Sequence, residues 1–535
     1  MKDLKLSRRS FVGGATILGA TVVSASLTGC GGSDSAAASS DGGVVTGGTL
    51  SISLSASPSN LDPCKYSGVY ESQVINNVCD TLVQYKMDLS EIVPCLATDW
   101  TISDDGLTYT FNLRDDVKFQ KGQYQDGRAL TADDVKYALE RSATESALKR
   151  LSMLDHCNVV SDTQIECVLK QPAASFLTAL TDAGNVIVPK EEVEGWGDAF
   201  GDHLVGSGPF CLQNYAKDQV SELVRNDNYW GDKPALDGVK FKVIKETSQA
   251  TNALQTGDCD VTTDVSGESI QIIKDDENLT LDQKDALHIS YCYMNQVNGP
   301  CADQKVRKAI LMAVDRQQIV DGIYQYGEGS VATLPLPKGS WGYDEAVEAD
   351  VPAYDVEGAK KLLAEAGYPD GLSLTYYYSS NATGDKVFTI LQQQLKNNLN
   401  IELEAHTGDW GTFSADAASG IADIYSMSWS WYPDPYFFLN KLFSRVELGA
   451  LGNGAGFDHD DVEDLLDKGL EATDQEERAK YYKQALKAIV AYDPMLVYTS
   501  RKVSTGLSNK VQGYTSRADQ LVYVVNSEVN VSKTA

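Results

Sequence analysis

Segments patterned for strands and for helices alternate along this chain from Gly48 almost to its end, and that alternation constrains its fold more than any other feature. Trp100 and Ile102 lead into Ser103-Asp104-Asp105-Gly106, after which Tyr109, Phe111 and Leu113 alternate with polar residues, the pattern of a hairpin closed by an Asp-Gly turn. Thr131-Ala132-Asp133-Asp134 opens a helix in the manner of a capping box, with Val135, Ala138 and Leu139 following at helical spacing. Further helices start at Asp303, Asp355 and Asp474; Gly367 and Pro369 stop the second, and Pro494 stops the third. Strand-like runs at Leu236 to Ile244, Leu372 to Tyr378 and Asp423 to Trp429 fall between helices, which predicts α/β architecture. At 535 residues the chain exceeds one domain, and no repeat with a period of 20–50 residues is present.

The first thirty residues read as an address. Lys2, Lys5, Arg8 and Arg9 precede a mild apolar stretch from Phe11 to Leu27, the layout of a secretory signal over residues 1–29. Ser7-Arg8-Arg9-Ser10-Phe11-Val12 resembles a twin-arginine export motif, and Leu27-Thr28-Gly29-Cys30 resembles a bacterial lipobox, whose Cys30 would carry the lipid anchor. Residues 30–48 are rich in Gly, Ser, Ala and Asp and predict a flexible tether. Nine cysteines besides Cys30 are an odd number in an export context; Cys157 with Cys167, and Cys292 with Cys301, are plausible pairs, and neither spacing is a metal or redox motif.

The motifs of catalysis are missing. The five histidines, His156, His203, His288, His406 and His459, lie outside metal-ligand spacing of one another, and there is no HExxH, GxSxG or GxxxxGK[ST]. Gly452-Asn453-Gly454-Ala455-Gly456 follows a helical segment and reads as a turn, and Asp458-His459-Asp460-Asp461 reads as acids at a helix N-terminus in preference to a metal site. No catalytic residue, metal or cofactor is therefore expected. A formal charge of −30 argues against nucleic-acid binding, which needs clustered cations. The most unusual patch runs from Asp423 to Phe438. Ile424, Ser426, Ser428 and Ser430 alternate with Tyr425, Met427, Trp429 and Trp431, giving a strand with one small face and one aromatic face. Pro433 and Pro435 end it, which puts Trp429 to Tyr432 at its C-terminal end, where open α/β sheets bind ligands. A purely structural aromatic strand is the competing explanation.

Blocks in order along the chain, Leu96-Ala97-Thr98-Asp99-Trp100, Ser103 to Phe111, Gly206-Ser207-Gly208-Pro209-Phe210, Tyr229-Trp230, Ala253 to Gly257 and Val306 to Ile310 among them, resemble the extracytoplasmic solute-binding proteins of oligopeptide- and dipeptide-type ABC importers, family 5. The resemblance implies a two-lobed, type II periplasmic-binding-protein-like fold with an inserted domain in lobe one and a two-segment hinge. It places lobe one at 49–65, 205–287 and 499–535, the insertion at 66–204, lobe two at 288–498, and hinges near Asp285–His288 and Thr499–Lys502. It implies ligand contacts at Met427, Ser428 and Trp429, and at Ser55, Ala56 and Ser57, with Trp341 as a cover for the cleft. Where relatives hold a peptide ammonium with a carboxylate soon after the Trp, this chain has Trp431 and Tyr432, and Asp434 is the next acid. The expected function is capture of a small solute, a peptide first of all, by a monomeric lipoprotein that serves an ABC permease and ATPase at the membrane's outer face. A receptor for a nickel chelate, haem or sugar, and an extracellular peptidase, are the alternatives.

Overall fold

The structure is a computed structural model that describes residues 47–66, 68–146 and 148–534. The export signal, Cys30 and all of the tether but Gly47 and Gly48 lie outside the described residues.

One sheet of twelve strands serves separate hydrophobic cores. On one side Thr49–Leu54 lies parallel to Gly238–Val243 and to Val261–Thr262, and Val220–Arg225 and Phe210–Ala216 extend the sheet in antiparallel fashion. Leu50, Ile52 and Leu54 are fully buried there, on the face that packs against the rest of the chain. On the other side Ile424–Ser430 lies between His288–Met294, antiparallel, and Ser373–Ser379, parallel, with Glu402–Gly408 beyond. One strand, Met495–Ser508, belongs to both sides. Its first residues pair with His288–Met294, and Lys502 to Ser508 pair with Leu279–Asp285. The chain thus crosses twice, around 286–287 and around 500–501, and the crossings lie side by side. Gly329–Val331 pairs with Arg501, Ser500 and Thr499 and braces them. Two lobes result, the α/β architecture that the alternating patterns predict.

Between the first strand and Phe210 the chain builds a four-stranded antiparallel sheet in the order Ala97–Ile102, Thr108–Leu113, Gln164–Leu169, Leu154–Ser161. The Asp-Gly hairpin forms, with Gly106 at φ +68°, a left-handed turn position that favours glycine. Phe111, Leu139 and Ile165 share one core with Leu50 and Phe241, so this piece is fused to lobe one and has no separate core. A buried pair reinforces the union, Arg141 donating to both Asp62 oxygens at 2.9 and 2.8 Å.

Local signals are honoured by the backbone. Asp303, Asp355 and Asp474 accept from the N–H groups of Lys305, Gly358 and Glu477 at 2.8, 3.0 and 2.9 Å. The Thr131 N–H donates to the Asp134 carboxylate at 2.9 Å, the reciprocal half of a capping box. Cys157 and Cys167 face each other across their hairpin with sulfurs 3.6 Å apart, both buried. Cys292 sits instead against the Tyr376 hydroxyl at 3.6 Å, and Cys301 is buried without a sulfur contact to it among the described residues.

A candidate ligand site between the lobes

The aromatic strand is a core strand for most of its length. Tyr425 and Met427 are buried among the aromatic side chains of lobe two, and Ser426 is buried on the other face, 3.4 Å from the Tyr498 hydroxyl. Packing accounts for the alternation as far as Met427. The strand stops at Ser430, which is in register with His288 at the crossing, so Trp431 and Tyr432 emerge between the lobes.

A cavity of about 350 Å³ opens there. Three stretches far apart in sequence converge on it: Ser430 to Pro433 from lobe two, parts of Tyr66 to Ala183 from the inserted piece, and Arg517 to Tyr523 near the C-terminus. Trp431 is 41% exposed and stacks on Phe437 with ring centroids 5.5 Å apart, and Trp429 lies behind it at 5.8 Å. Trp429 Nε1 donates to the Phe437 carbonyl at 2.8 Å. Trp429 therefore supports the wall without lining it.

The polar floor centres on Asp182, which is 6% exposed. Its carboxylate accepts from the Gly184 N–H at 2.8 Å and from the hydroxyls of Tyr66 and Tyr432, and is ion-paired with Arg150 Nη1 at 3.0 Å. Arg150 Nη1 also donates to the Tyr432 hydroxyl, and the guanidinium lies 5.0 Å from that ring's centroid. Burial and the Asp182 charge push the Tyr66 phenol well above its ordinary value. On the opposite wall Arg517, 2% exposed, donates to Asp519 at 3.1 and 2.7 Å and to the Lys86 carbonyl at 3.2 Å.

The remaining candidate residues are placed differently. Asp434 is wholly buried away from the cavity. Arg478 donates to its two oxygens at 2.9 and 3.1 Å, Thr178 adds a bond at 3.0 Å, and the Tyr436 N–H adds another at 3.0 Å. Such a carboxylate is fully engaged within the protein. Trp341 packs edge-on against Tyr482 at 6.0 Å and under the Arg478 guanidinium at 5.1 Å, one layer behind the cavity wall. Ser428 bonds Ser290 across the strands at 2.9 Å. Ser55 bonds Tyr70 and Asp264 at 2.7 and 2.8 Å, and Ser57 accepts from the Asp218 N–H at 2.9 Å; neither these nor Ala56 lines the cavity. The structure thus brings together Trp431 and Tyr432 of the predicted set and adds Arg150, Asp182 and the Arg517–Asp519 pair. Asp458 and Asp460 pair with Arg445, both at 2.6 Å, and Asp461 accepts from the Tyr492 hydroxyl at 2.9 Å. Among the described residues no group of three or more His, Cys, Asp or Glu side chains is placed to hold a metal ion.

Residues 91–449 match the model of the bacterial extracellular solute-binding proteins, family 5. This chain belongs to that family. It is 30% identical over 464 residues to haem-binding protein A of Haemophilus influenzae, covering 82% of this chain and 84% of that protein. It is 28% identical over 497 residues to the dipeptide-binding protein of Escherichia coli, covering 87% and 92%. Among solved structures, HbpA2 from Haemophilus parasuis superposes with a TM-score of 0.84 at 26% identity, covering 91% of this chain and all of that one. The peptide-bound periplasmic binding protein DppA from Helicobacter pylori gives 0.69 at 27% identity, covering 92% and 99%. A family 5 protein captures solute outside the cytoplasmic membrane for import. Among the described residues no helix is long and apolar enough to cross a membrane.

Proposed function

We propose that this chain captures a peptide-type solute in the interlobe cavity by hinge closure and hands it unaltered to an ABC permease and its ATPase. The observation that carries the reading is the convergence of both lobes and the inserted piece on one cavity of about 350 Å³, walled by aromatic rings at a strand's C-terminal end. Only a closed arrangement lets a solute touch both lobes, so binding shifts the hinge equilibrium toward closure. Lobe one at 49–65, 205–287 and 499–535, with the inserted domain at 66–204 moving with it on their shared core, and lobe two at 288–498 describe the moving parts, a division supported by the cores of lobe two being separate from that shared one. Lipid on Cys30 and the tether at 30–48 hold the monomer at the membrane's outer face after twin-arginine export. The protein catalyses nothing, and its cargo leaves as it came.

Titration calorimetry with a mixed peptide library, small-angle scattering and mass analysis of the recovered peptides test this together. Heat of binding, a smaller radius of gyration and intact peptides are expected. Absence of both heat and compaction with every compound refutes capture, and cleaved peptides make the chain a peptidase. A non-peptide solute is the second reading, favoured by Tyr432 standing where an ammonium-binding acid is expected and by the engagement of Asp434 with Arg478.

A further inference from the structure

The charged groups around the cavity are not equally free. Asp182 is engaged within the protein by three hydrogen-bond donors and by the Arg150 ion pair. Asp519 accepts from Arg517 Nε and Nη2 and from the Leu521 N–H at 3.1 Å, while Arg517 Nη1 is taken by the Lys86 carbonyl and the Met87 sulfur. Arg150 differs. Only its Nη1 has partners; among the described residues Nε and Nη2 meet no acceptor, and the side chain remains 27% exposed on the cavity wall. An unengaged guanidinium edge with two parallel N–H groups matches the two oxygens of a carboxylate. Among the described residues no carboxylate on the cavity wall is left over to hold a cation, since Asp182 and Asp519, which line it, are both paired.

We propose that Arg150 is the cargo's anchor and that it takes a carboxylate, so the cavity selects solutes by an anionic end and not by an ammonium. The Tyr432 hydroxyl, held between Arg150 and Asp182, fixes the guanidinium's tilt, and exposed Trp431 meets the apolar body of the cargo. The inference rests on the cavity being the cargo site.

The probe set is one peptide library in three forms, free, N-acetylated and C-terminally amidated, together with small mono- and dicarboxylic acids and inorganic phosphate. Each is measured by calorimetry and native mass spectrometry on the intact exported protein. Free and acetylated peptides, or a carboxylic acid, should bind at least about tenfold more tightly than amidated peptides, the scale of one lost charged hydrogen-bond pair. Arg150→Ala should remove that preference, and by freeing Asp182 should turn it toward the amidated, cationic form; Arg150→Lys should restore part of it. A melting curve for each variant separates misfolding from lost anchoring, and the altered preference is a readout that a purely structural arginine would not move. Amidated peptides bound as well as free ones, acetylation abolishing binding, phosphate as the sole occupant, or an unchanged preference in Arg150→Ala each overturns the proposal while leaving solute capture intact. No binding by any probe overturns both.

Discussion

Trp429 and Trp431 are two residues apart, on either side of the strand's end at Ser430, yet they do different things. Trp429 commits its N–H to the Phe437 carbonyl and is half-buried, whereas Trp431 is 41% exposed over the cavity. Trp431→Ala should leave the melting temperature nearly unchanged and weaken cargo binding about tenfold, an aromatic contact's share of a small-ligand site. Trp429→Ala should instead lower stability by about 2–3 kcal/mol, through lost packing and an orphaned carbonyl, with binding weakened only as far as Trp431 tilts. Paired melting and calorimetry on both variants check this; equal melting temperatures would put Trp429 in the cavity wall. The alternation of small and aromatic residues from Ile424 to Trp431 predicts the strand that forms at Ile424–Ser430. It could not say which rings are core and which are wall, because that depends on the neighbouring strands and on where Pro433 turns the chain.

Elements are tied together by Asp434. It accepts from Tyr436 at the start of the Pro435–Phe437 turn, from Arg478 on the helix Gln475–Ala491, and from Thr178 of the inserted piece. Asp434→Asn would leave the Arg478 charge buried without a counterion, and removing one partner of such a pair costs about 3–5 kcal/mol. A large drop in the denaturation midpoint is expected, with cargo affinity per folded molecule retained; an affinity loss at unchanged stability would return Asp434 to the ligand site. Helix starts at Asp303, Asp355 and Asp474 and the hairpin turn at Gly106 were legible because each is decided within four residues. The Arg150–Asp182 pair was not legible. Its members lie on separate loops, and nothing local distinguishes them from the other charged residues. Arg517-Ala518-Asp519 carries a local signal, opposite charges across one intervening residue. The same spacing recurs at the far more exposed Arg114–Asp116 pair, so spacing alone does not separate a cavity wall from a solvated surface.

At the scale of the whole molecule, the crossings carry a buried histidine that responds to acid. Burial, with the Arg501 charge adding to it, drops His288 to about 3, and the Arg501 N–H donates to its Nδ1 at 3.4 Å, which fixes the proton on Nε2. The unfolded chain takes up a proton near pH 6.5 while the folded one refuses it until about 3, so this residue's share of stability is whole above 6.5 and drains as pH falls toward 3. A slope of up to ~1.4 kcal/mol per pH unit follows in that window. His288→Gln, which keeps an acceptor for Arg501, should flatten the acid limb of the melting profile; an unaltered limb would assign the loss elsewhere. The strand Met495–Ser508 has a consequence of its own. Because it is hydrogen-bonded to both sides of the crossing, with one register shift between Ser290 and Tyr291, it can flex and twist like a torsion bar but cannot slip lengthwise without breaking those pairs. On the proposed hinge closure, relative travel of the two halves would be confined to a swing, and every admission or discharge of cargo would use the same stroke in opposite directions.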